Sequence, residues 1–264
     1  MLHPSLAGKN AVVTGSTSGI GLGIARALAA NGCSVTLNGF GDPHDIQKLC
    51  TELTELGAAS VHYCGADMRD PEQIEAMIKQ SAEQSGGIDI LINNAGIQHV
   101  APIESFPTDK WNDIIAINLS SAFHAMKAAL PYMVEAGWGR VVNVASAHSL
   151  VASPYKCAYV AAKHGLAGLT KTAALEMAEK NVTVNAVAPG YVETPLVTDQ
   201  IADTAQVKGM TEEQVIHDVM LLAQPTRKLI TTDQVANLVM FLCTEQASAM
   251  TGSILPIDGG WTAK

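Results

Sequence analysis

Residues 11 to 32 read as a buried strand, a glycine-rich turn and a helix in immediate succession, and this succession restricts the architecture more than any other part of the chain. Ala11-Val12-Val13 is a short apolar run, Thr14-Gly15-Ser16-Thr17-Ser18-Gly19-Ile20-Gly21 follows, and the amphipathic stretch Leu22 to Ala30 stops at Asn31-Gly32. In such a unit the backbone N–H groups of the turn and the positive end of the helix dipole converge on one point, which suits a pyrophosphate. The spacing is not G-x-G-x-x-G, because three residues separate Gly15 from Gly19 and one separates Gly19 from Gly21. The strand and the helix that the motif demands are nevertheless both present.

Beyond this unit, strand and helix patterns alternate with no linker or low-complexity stretch. Strands are predicted near residues 11 to 14, 34 to 38, 60 to 64, 88 to 92, 140 to 145, 182 to 187 and 254 to 257. Helix starts are marked by Asp42-Pro43 and Asp70-Pro71, an N-cap followed by proline at the first helical position, and by Thr108 and Thr231 or Thr232. Alternation of this kind predicts an α/β fold with a Rossmann-like, doubly wound parallel sheet of about seven strands and helices on both faces. With 264 residues and 48% apolar side chains, one domain over residues 1–264 has enough core. Ligand belongs at the carboxyl ends of the strands, where the turns at Gly15, Asn93, Ser146 and Pro189 fall. Residues 191–226 interrupt the rhythm after the sixth strand with two helical patterns, Leu196 to Thr204 and Thr211 to Leu222, joined through Lys208-Gly209. An insertion there is placed to act as a substrate lid.

The net charge of −9 and the absence of a Lys/Arg run argue against nucleic acid or anionic membrane as partner. No apolar run is long enough to span a bilayer and residues 1–9 lack a signal-peptide core, so a cytoplasmic location is expected. Cys33, Cys50, Cys64, Cys157 and Cys243 show neither paired nor metal-ligand spacing, so they are expected to be reduced and no metal site is predicted.

Tyr159 and Lys163 stand at i and i+4, with Ser146 thirteen residues before Tyr159. On one helix face an ammonium near a phenol favours the ionised form, which a free tyrosine reaches only at about pH 10. The expected device is a proton-transfer group, with Ser146 bonding the oxygen of the reacting molecule. Together, T-G-x-x-x-G-x-G at residues 14–21, Asn93-Asn94-Ala95-Gly96, Asn118, Ser146, Tyr159-x-x-x-Lys163 and Pro189-Gly190 with Thr194 resemble the short-chain dehydrogenase/reductase family over essentially the whole chain.

That resemblance implies a nicotinamide-dependent oxidoreductase with Asn118, Ser146, Tyr159 and Lys163 as catalytic residues. Tyr159 would take the hydroxyl proton, Ser146 orient the oxygen, Lys163 hold the ribose, and Asn118 place a water that links Lys163 to solvent. Cofactor contacts are implied for Gly15, Thr17, Gly19, Ile20, Gly21, Phe40, Asp67, Asn94, Gly96, Tyr159, Lys163, Pro189, Val192 and Thr194, with Asp67 at the adenine and Asn93 and Asn94 bracing the turn. The acid that reads a ribose 2′-hydroxyl is expected about 20 residues after the glycine turn, yet Gly39 stands there. No Arg or Lys lies there or within residues 15–22 to meet a 2′-phosphate, which selects NAD by exclusion.

Gln98, His148, Lys156 and Gln200 lie near these motifs and supply one cation and several donors, the equipment for holding a small carboxylate beside the carbon oxidised. Longer strings, including Asn94 to His99, Ala145 to Ser153 and Asp258 to Ala263, resemble the branch of the family that interconverts (R)-3-hydroxybutyrate and acetoacetate with NAD. The resemblance adds Tyr191 and Trp261 to the pocket beside Ser146 and Tyr159; Tyr191 stands where some relatives carry tryptophan, and Trp261 is open to serving its own or a neighbouring subunit. Two other readings stay open, a 3-oxoacyl-carrier-protein reductase and a catalytically silent dinucleotide sensor. Small residues crowd the helix expected at about 155–179, Ala158, Ala161, Ala162, Gly165, Ala167 and Gly168, and with the family's habit of pairing this helix they predict a homotetramer.

Overall fold

Among the described residues, 3–263, the computed structural model has seven strands hydrogen-bonded into one wholly parallel sheet. In chain order they are Asn10–Val13 (β1), Ser34–Asn38 (β2), Ser60–Cys64 (β3), Ile90–Asn93 (β4), Gly139–Val144 (β5), Val182–Pro189 (β6) and Ile254–Ile257 (β7). Across the sheet the order is β3-β2-β1-β4-β5-β6-β7, so the winding reverses between β1 and β4 and leaves a crevice at their carboxyl ends. The expected seven strands are all present; β6 runs two residues further, and β4 starts two residues later and ends one later, than the apolar pattern indicates.

Burial follows strand order. The central strands β4, β5 and β6 are buried at every residue, whereas the edge strands β3 and β7 are only partly covered. The helices are Gly19–Ala30 (α1), Pro43–Glu55 (α2), Pro71–Ser85 (α3), Thr108–Ile115 (α4), Ser121–Ala136 (α5), Cys157–Met177 (α6) and Pro195–Lys208 (α7), followed by Thr232–Cys243. Alternation along β1 sends Ala11 and Val13 into a cluster with Ile24 and Leu28 of α1 and Val235 and Val239 of Thr232–Cys243. Val12 faces the other way, among Ile74 and Ile78 of α3, Ala125 and Ala129 of α5 and Ala173 of α6.

Local chemistry fixes the helix starts. Asp42 accepts from His44 N, Asp70 accepts from Glu72 N and Gln73 N, and Thr231 forms a reciprocal capping box with Gln234. Thr108 departs from expectation: it is the first residue of α4, its side chain caps nothing, and Pro107 occupies the cap. Between α4 and α5 the chain makes a π-helical turn, Ala116–Ser120.

Residues 191–226 form α7, longer than the sequence pattern indicates, and a second helical run over 212–223 that contains another π turn, Val215–Met220. Gly209 ends α7 in a left-handed conformation at φ +64°. The segment builds a small apolar cluster from Tyr191, Ala205, Val215 and Met220, with Trp261 packed against it. Its stems are tied together, because Ile230 N donates to Tyr191 O at 2.9 Å and Glu193 N donates to Ile230 O at 3.0 Å. No helix among the described residues is long and apolar enough to cross a membrane. All five cysteines are free, and burial pushes the thiols of Cys33 and Cys243 up to about 12.

Candidate active site

A cleft of about 320 Å³ opens at the carboxyl ends of β1, β4, β5 and β6, with the glycine turn along one side. Gly15 and Gly19 have φ of +60° and +55°, a region that a Cβ would strain. A Cβ on Gly15 would lie 2.8 Å from Ala95 Cα, and one on Gly21 would overlap the Gly15 carbonyl and the Asn94 side chain. The turn is therefore pressed onto the loop that follows β4. Ser18 at the N-cap of α1 makes no side-chain cap bond, so the first amides of α1 have no intrahelical or capping partner. These features fit a dinucleotide pyrophosphate.

Asn94 is the brace of this turn. Its Nδ2 donates to Thr14 O at 2.9 Å and Gly15 O at 2.8 Å, while Thr14 Oγ1 accepts from Asn94 N and Ala95 N at 3.0 Å each. Asn93 does not share this role; it faces into the sheet, where its Nδ2 donates to Asn143 Oδ1 at 2.8 Å and Asn143 Nδ2 in turn donates to Thr170 Oγ1 at 2.9 Å. Thr194 begins α7 against the turn, its Cγ2 being 3.5 Å from where a Gly19 Cβ would stand, and Ile20, Gly96, Pro189 and Val192 line the same cleft.

At the end of β2, Gly39 has φ +148°, and a Cβ there would approach Thr17 Oγ1 to 2.6 Å. Thr17 donates to Phe40 O at 3.1 Å, so its hydroxyl takes the space an acidic side chain would need. The neighbouring Asn38 is buried and its amide is consumed within the protein, accepting from Gly15 N and donating to Cys64 O and Ala66 O. Phe40 lies at the rim, 66% exposed. Asp67 also lines the cleft, but its carboxylate is engaged by the Arg69 side chain at 2.6–3.0 Å and by Arg69 N at 2.9 Å, which hold it below the usual carboxylate range. Among the described residues, the cations lining the cleft are Lys156 and Lys163.

Tyr159 and Lys163 stand one turn apart on α6, beside Ser146 at the end of β5. Lys163 Nζ donates to Val144 O at 2.7 Å and lies 5.6 Å from the centre of the Tyr159 ring. Burial draws the Lys163 amine down to about 8. The same desolvation raises the Tyr159 phenol, with the Ser146 hydroxyl pulling it the other way. The i, i+4 spacing does bring the two together, with the ammonium anchored on a strand carbonyl beside the ring, while loss of water is the largest influence on the phenol. Asn118 sits in the π turn, where Oδ1 accepts from Ile97 N and Nδ2 donates to Ile97 O, both at 2.9 Å. Single-turn π bulges are rare and frequently fall at functional sites, and here the side chain of Asn118 within the π turn is tied to the loop after β4.

Opposite these groups, Lys156 is 7% exposed, donates from Nζ to Gln200 Oε1 of α7 at 3.0 Å, and lies 5.4 Å over the Tyr191 ring. Burial, with the repulsion of Lys208, lowers its amine to about 8. His148 is lowered to about 3 by burial, Lys156 and His164, so it is a neutral imidazole whose Nδ1 is 3.4 Å from Ser146 Oγ and whose Nε2 is 2.9 Å from Ser153 Oγ. Trp261 stacks on Tyr191, with centroids 5.1 Å apart and planes 16° apart, and meets His148 edge-on at 5.0 Å. Trp261 thus lines the cleft of its own chain, and with Tyr191 it forms an aromatic wall. Gln98 lines the same cleft with its Oε1 accepting from His99 N at 3.1 Å. Asp258, which opens the Asp258 to Ala263 string but has no role assigned from the sequence, anchors Trp261 by accepting from Gly260 N, Thr262 N and the Thr262 hydroxyl; the local signal is the turn-forming Asp-Gly-Gly.

The family model described as Enoyl-(Acyl carrier protein) reductase matches residues 15–262. D-beta-hydroxybutyrate dehydrogenase of Rhizobium meliloti is 56% identical over 256 residues, covering 97% of this chain and 99% of the relative. The protein of the same name from Cupriavidus necator is 52% identical over 260 residues, covering 98% and 100%. Among solved structures, the actinorhodin polyketide ketoreductase with NADPH superposes with a TM-score of 0.91 at 32% identity and covers all of both chains.

Proposed function

The chain belongs to the short-chain dehydrogenase/reductase family of nicotinamide-dependent oxidoreductases, and we propose that it is a 3-hydroxybutyrate dehydrogenase, converting (R)-3-hydroxybutyrate and NAD to acetoacetate, NADH and a proton, reversibly. The carrying observation is a buried amine, Lys156, held by Gln200 in the same cleft as Ser146 and Tyr159. A buried ammonium needs an anion to offset its desolvation, and a free carboxylate two carbons from the reacting hydroxyl supplies one. A carrier-bound 3-oxoacyl thioester has no such group, and the net charge of −9 offers no attraction to an acidic carrier protein.

In this reading the turn at Gly15, Thr17, Gly19, Ile20 and Gly21 takes the pyrophosphate, Phe40 and Asp67 flank the adenosine, and Asn94, Gly96, Pro189, Val192 and Thr194 border the nicotinamide, which when bound supplies the hydride acceptor. NAD is favoured over NADP because, among the described residues, the cations lining the cleft are Lys156 and Lys163 and neither adjoins Gly39 in the chain to meet a 2′-phosphate, while the Thr17 hydroxyl in that space suits a neutral ribose. Lys156, Gln200 and Gln98 hold the carboxylate, and neutral His148 sits between Ser146 and the aromatic wall. Ser146 bonds the substrate oxygen and Tyr159 exchanges its proton with it. Tyr159 gives its proton to the oxygen in ketone reduction and takes the hydroxyl proton in oxidation, with Lys163 as the nearby charge. Residues 191–226 act as the lid, shutting water out as Tyr191 and Gln200 close on the substrate. Asn118 places a water that connects Lys163 to solvent, so Asn118→Ala should lower turnover by about tenfold or more while the dinucleotide Kd measured by NADH fluorescence stays close to wild type.

The assembly is a homotetramer in the cytoplasm. Ala158 and Ala162 of α6 pack within the chain, but Ala161, Gly168 and Leu175 share its outward face at seven-residue spacing, and a Cβ on Gly168 would touch nothing. Such a face lets a second α6 approach closely. Free cysteines fit a reducing compartment. The deciding experiment is NADH formation, followed by absorbance, with each enantiomer of 3-hydroxybutyrate and with NADP in place of NAD. Turnover of the R acid with NAD is expected; NAD binding without turnover would favour a sensor.

A further inference from the structure

We propose that Gln224, which does not line the cleft, is a positioning residue that sets the Tyr191–Trp261 wall and thereby the length of 3-hydroxy acid the cleft accepts. The inference rests on the reading of the cleft as a site for a short 3-hydroxy carboxylate. Gln224 closes residues 191–226 and is 0% exposed. Its Oε1 accepts from Tyr191 N at 2.6 Å and its Nε2 donates to Lys228 O at 2.6 Å, so one side chain joins the two ends of that segment.

The surrounding chain is moulded to this amide. A Cβ on Gly190 would overlap Gln224 Oε1 and come within 3.1 Å of Asp258 Cα. Gly259, at φ +61°, would place a Cβ 3.2 Å from Gln224 Cβ and into the Thr226 hydroxyl. Gly190 N donates to Ile257 O at 3.0 Å, and Thr226 N donates to Gly259 O at 3.1 Å. Three segments therefore meet at Gln224: the chain leaving β6, the chain leaving β7, and the end of the lid. The first carries Tyr191 and the second carries Trp261, the stacked pair of the wall.

Removing the amide leaves Tyr191 N buried without an acceptor, a condition the chain relieves by shifting. Because Tyr191 lies below Lys156 and against Trp261, the shift falls first on the carboxylate grip and the far end of the cleft, with the His148 ring standing between the wall and Ser146. The signature is a change in KM and chain-length preference with little change in kcat.

The test compares Gln224→Leu with Gln224→Glu, which keeps the acceptor for Tyr191 N and loses the donor to Lys228 O. Steady-state kinetics would use (R)-3-hydroxybutyrate and (R)-3-hydroxypentanoate, with NADH binding by fluorescence and near-ultraviolet circular dichroism of the stacked pair, referenced to Trp261→Phe. For Gln224→Leu the KM for hydroxybutyrate should rise on the order of 10- to 100-fold, as a displacement of about 1 Å in a binding wall can produce. The preference for the shorter acid should fall, kcat and NADH affinity should stay near wild type, and Gln224→Glu should recover most of the KM. Gly190→Ala, which presses on the same amide from the other side, should show the same split if Gln224→Leu does not fold. Unchanged KM and dichroism, or a parallel loss of kcat, KM and NADH affinity that Gln224→Glu does not rescue, would overturn the proposal. Should wild type turn over no 3-hydroxy acid, the substrate reading fails, and the dichroism alone decides for or against Gln224 as the support of the wall.

Discussion

A Tyr159→Phe enzyme is expected to oxidise 3-hydroxybutyrate with kcat reduced by on the order of 10²–10⁴, the range that removal of a general acid–base group produces. The phenol is the group that Ser146 accompanies and that α6 holds one turn from Lys163. Phe keeps the ring, so the edge contact with His148, at 5.9 Å between centroids, should survive. The NADH Kd by fluorescence and the near-ultraviolet dichroism should therefore match wild type. A kcat equal to wild type would sink the assignment of Tyr159 as the proton-transfer group.

The second large effect is at Lys156. Its replacement by Ala should lower kcat/KM for hydroxybutyrate on the order of 10²–10³-fold, mostly through KM, because truncating one partner of a buried charge pair costs about 2–5 kcal/mol. Dinucleotide binding should be untouched. The same residue sets a pH dependence. In the free protein its amine is lowered to about 8 by burial and by Lys208, and a bound carboxylate raises it again by favouring the ammonium. Binding is therefore strongest when Lys156 is protonated: affinity for the anion should be flat below about pH 7 and should weaken above pH 8 by up to about tenfold per pH unit. Tyr159 pulls the other way in oxidation, since its proton must leave, so kcat/KM against pH should be bell-shaped. In Lys156→Ala the alkaline fall should disappear; a profile that keeps it would place the titration elsewhere.

Much of this arrangement is legible in the sequence because it is local. The glycine turn, the proline-marked starts at Asp42 and Asp70, and the buried runs of β4 to β6 each depend on neighbouring residues, and they appear within a residue or two of their expected limits. What the sequence hides is tertiary. Spacing pairs Tyr159 with Lys163, but only the fold shows that Lys163 donates to Val144 O and that burial acts on the phenol. Asn93 and Asn94 are adjacent and similar, yet strand alternation points one into the sheet and the other into the turn. Asp67 is taken by Arg69 only two residues on, a local pair that the family resemblance passes over. The π turn at Ala116–Ser120 leaves no compositional mark, since its identity lies in a hydrogen-bond register. Gln224 followed by Pro225 reads as an ordinary surface turn, and nothing nearby signals that its amide faces Tyr191, 33 residues away.

The crowding of Gly39 by Thr17 has a consequence for how coenzyme preference evolves or is engineered. An acid or a cation introduced at position 39 would meet both a backbone torsion that resists side chains and the hydroxyl already lodged there. Shortening Thr17 alone frees the volume but leaves Phe40 O without its donor. The two positions are coupled: a side chain at 39 needs the Thr17 hydroxyl out of its way and still meets the φ of +148°, so no single replacement at this corner of the cleft reverses the coenzyme preference without cost.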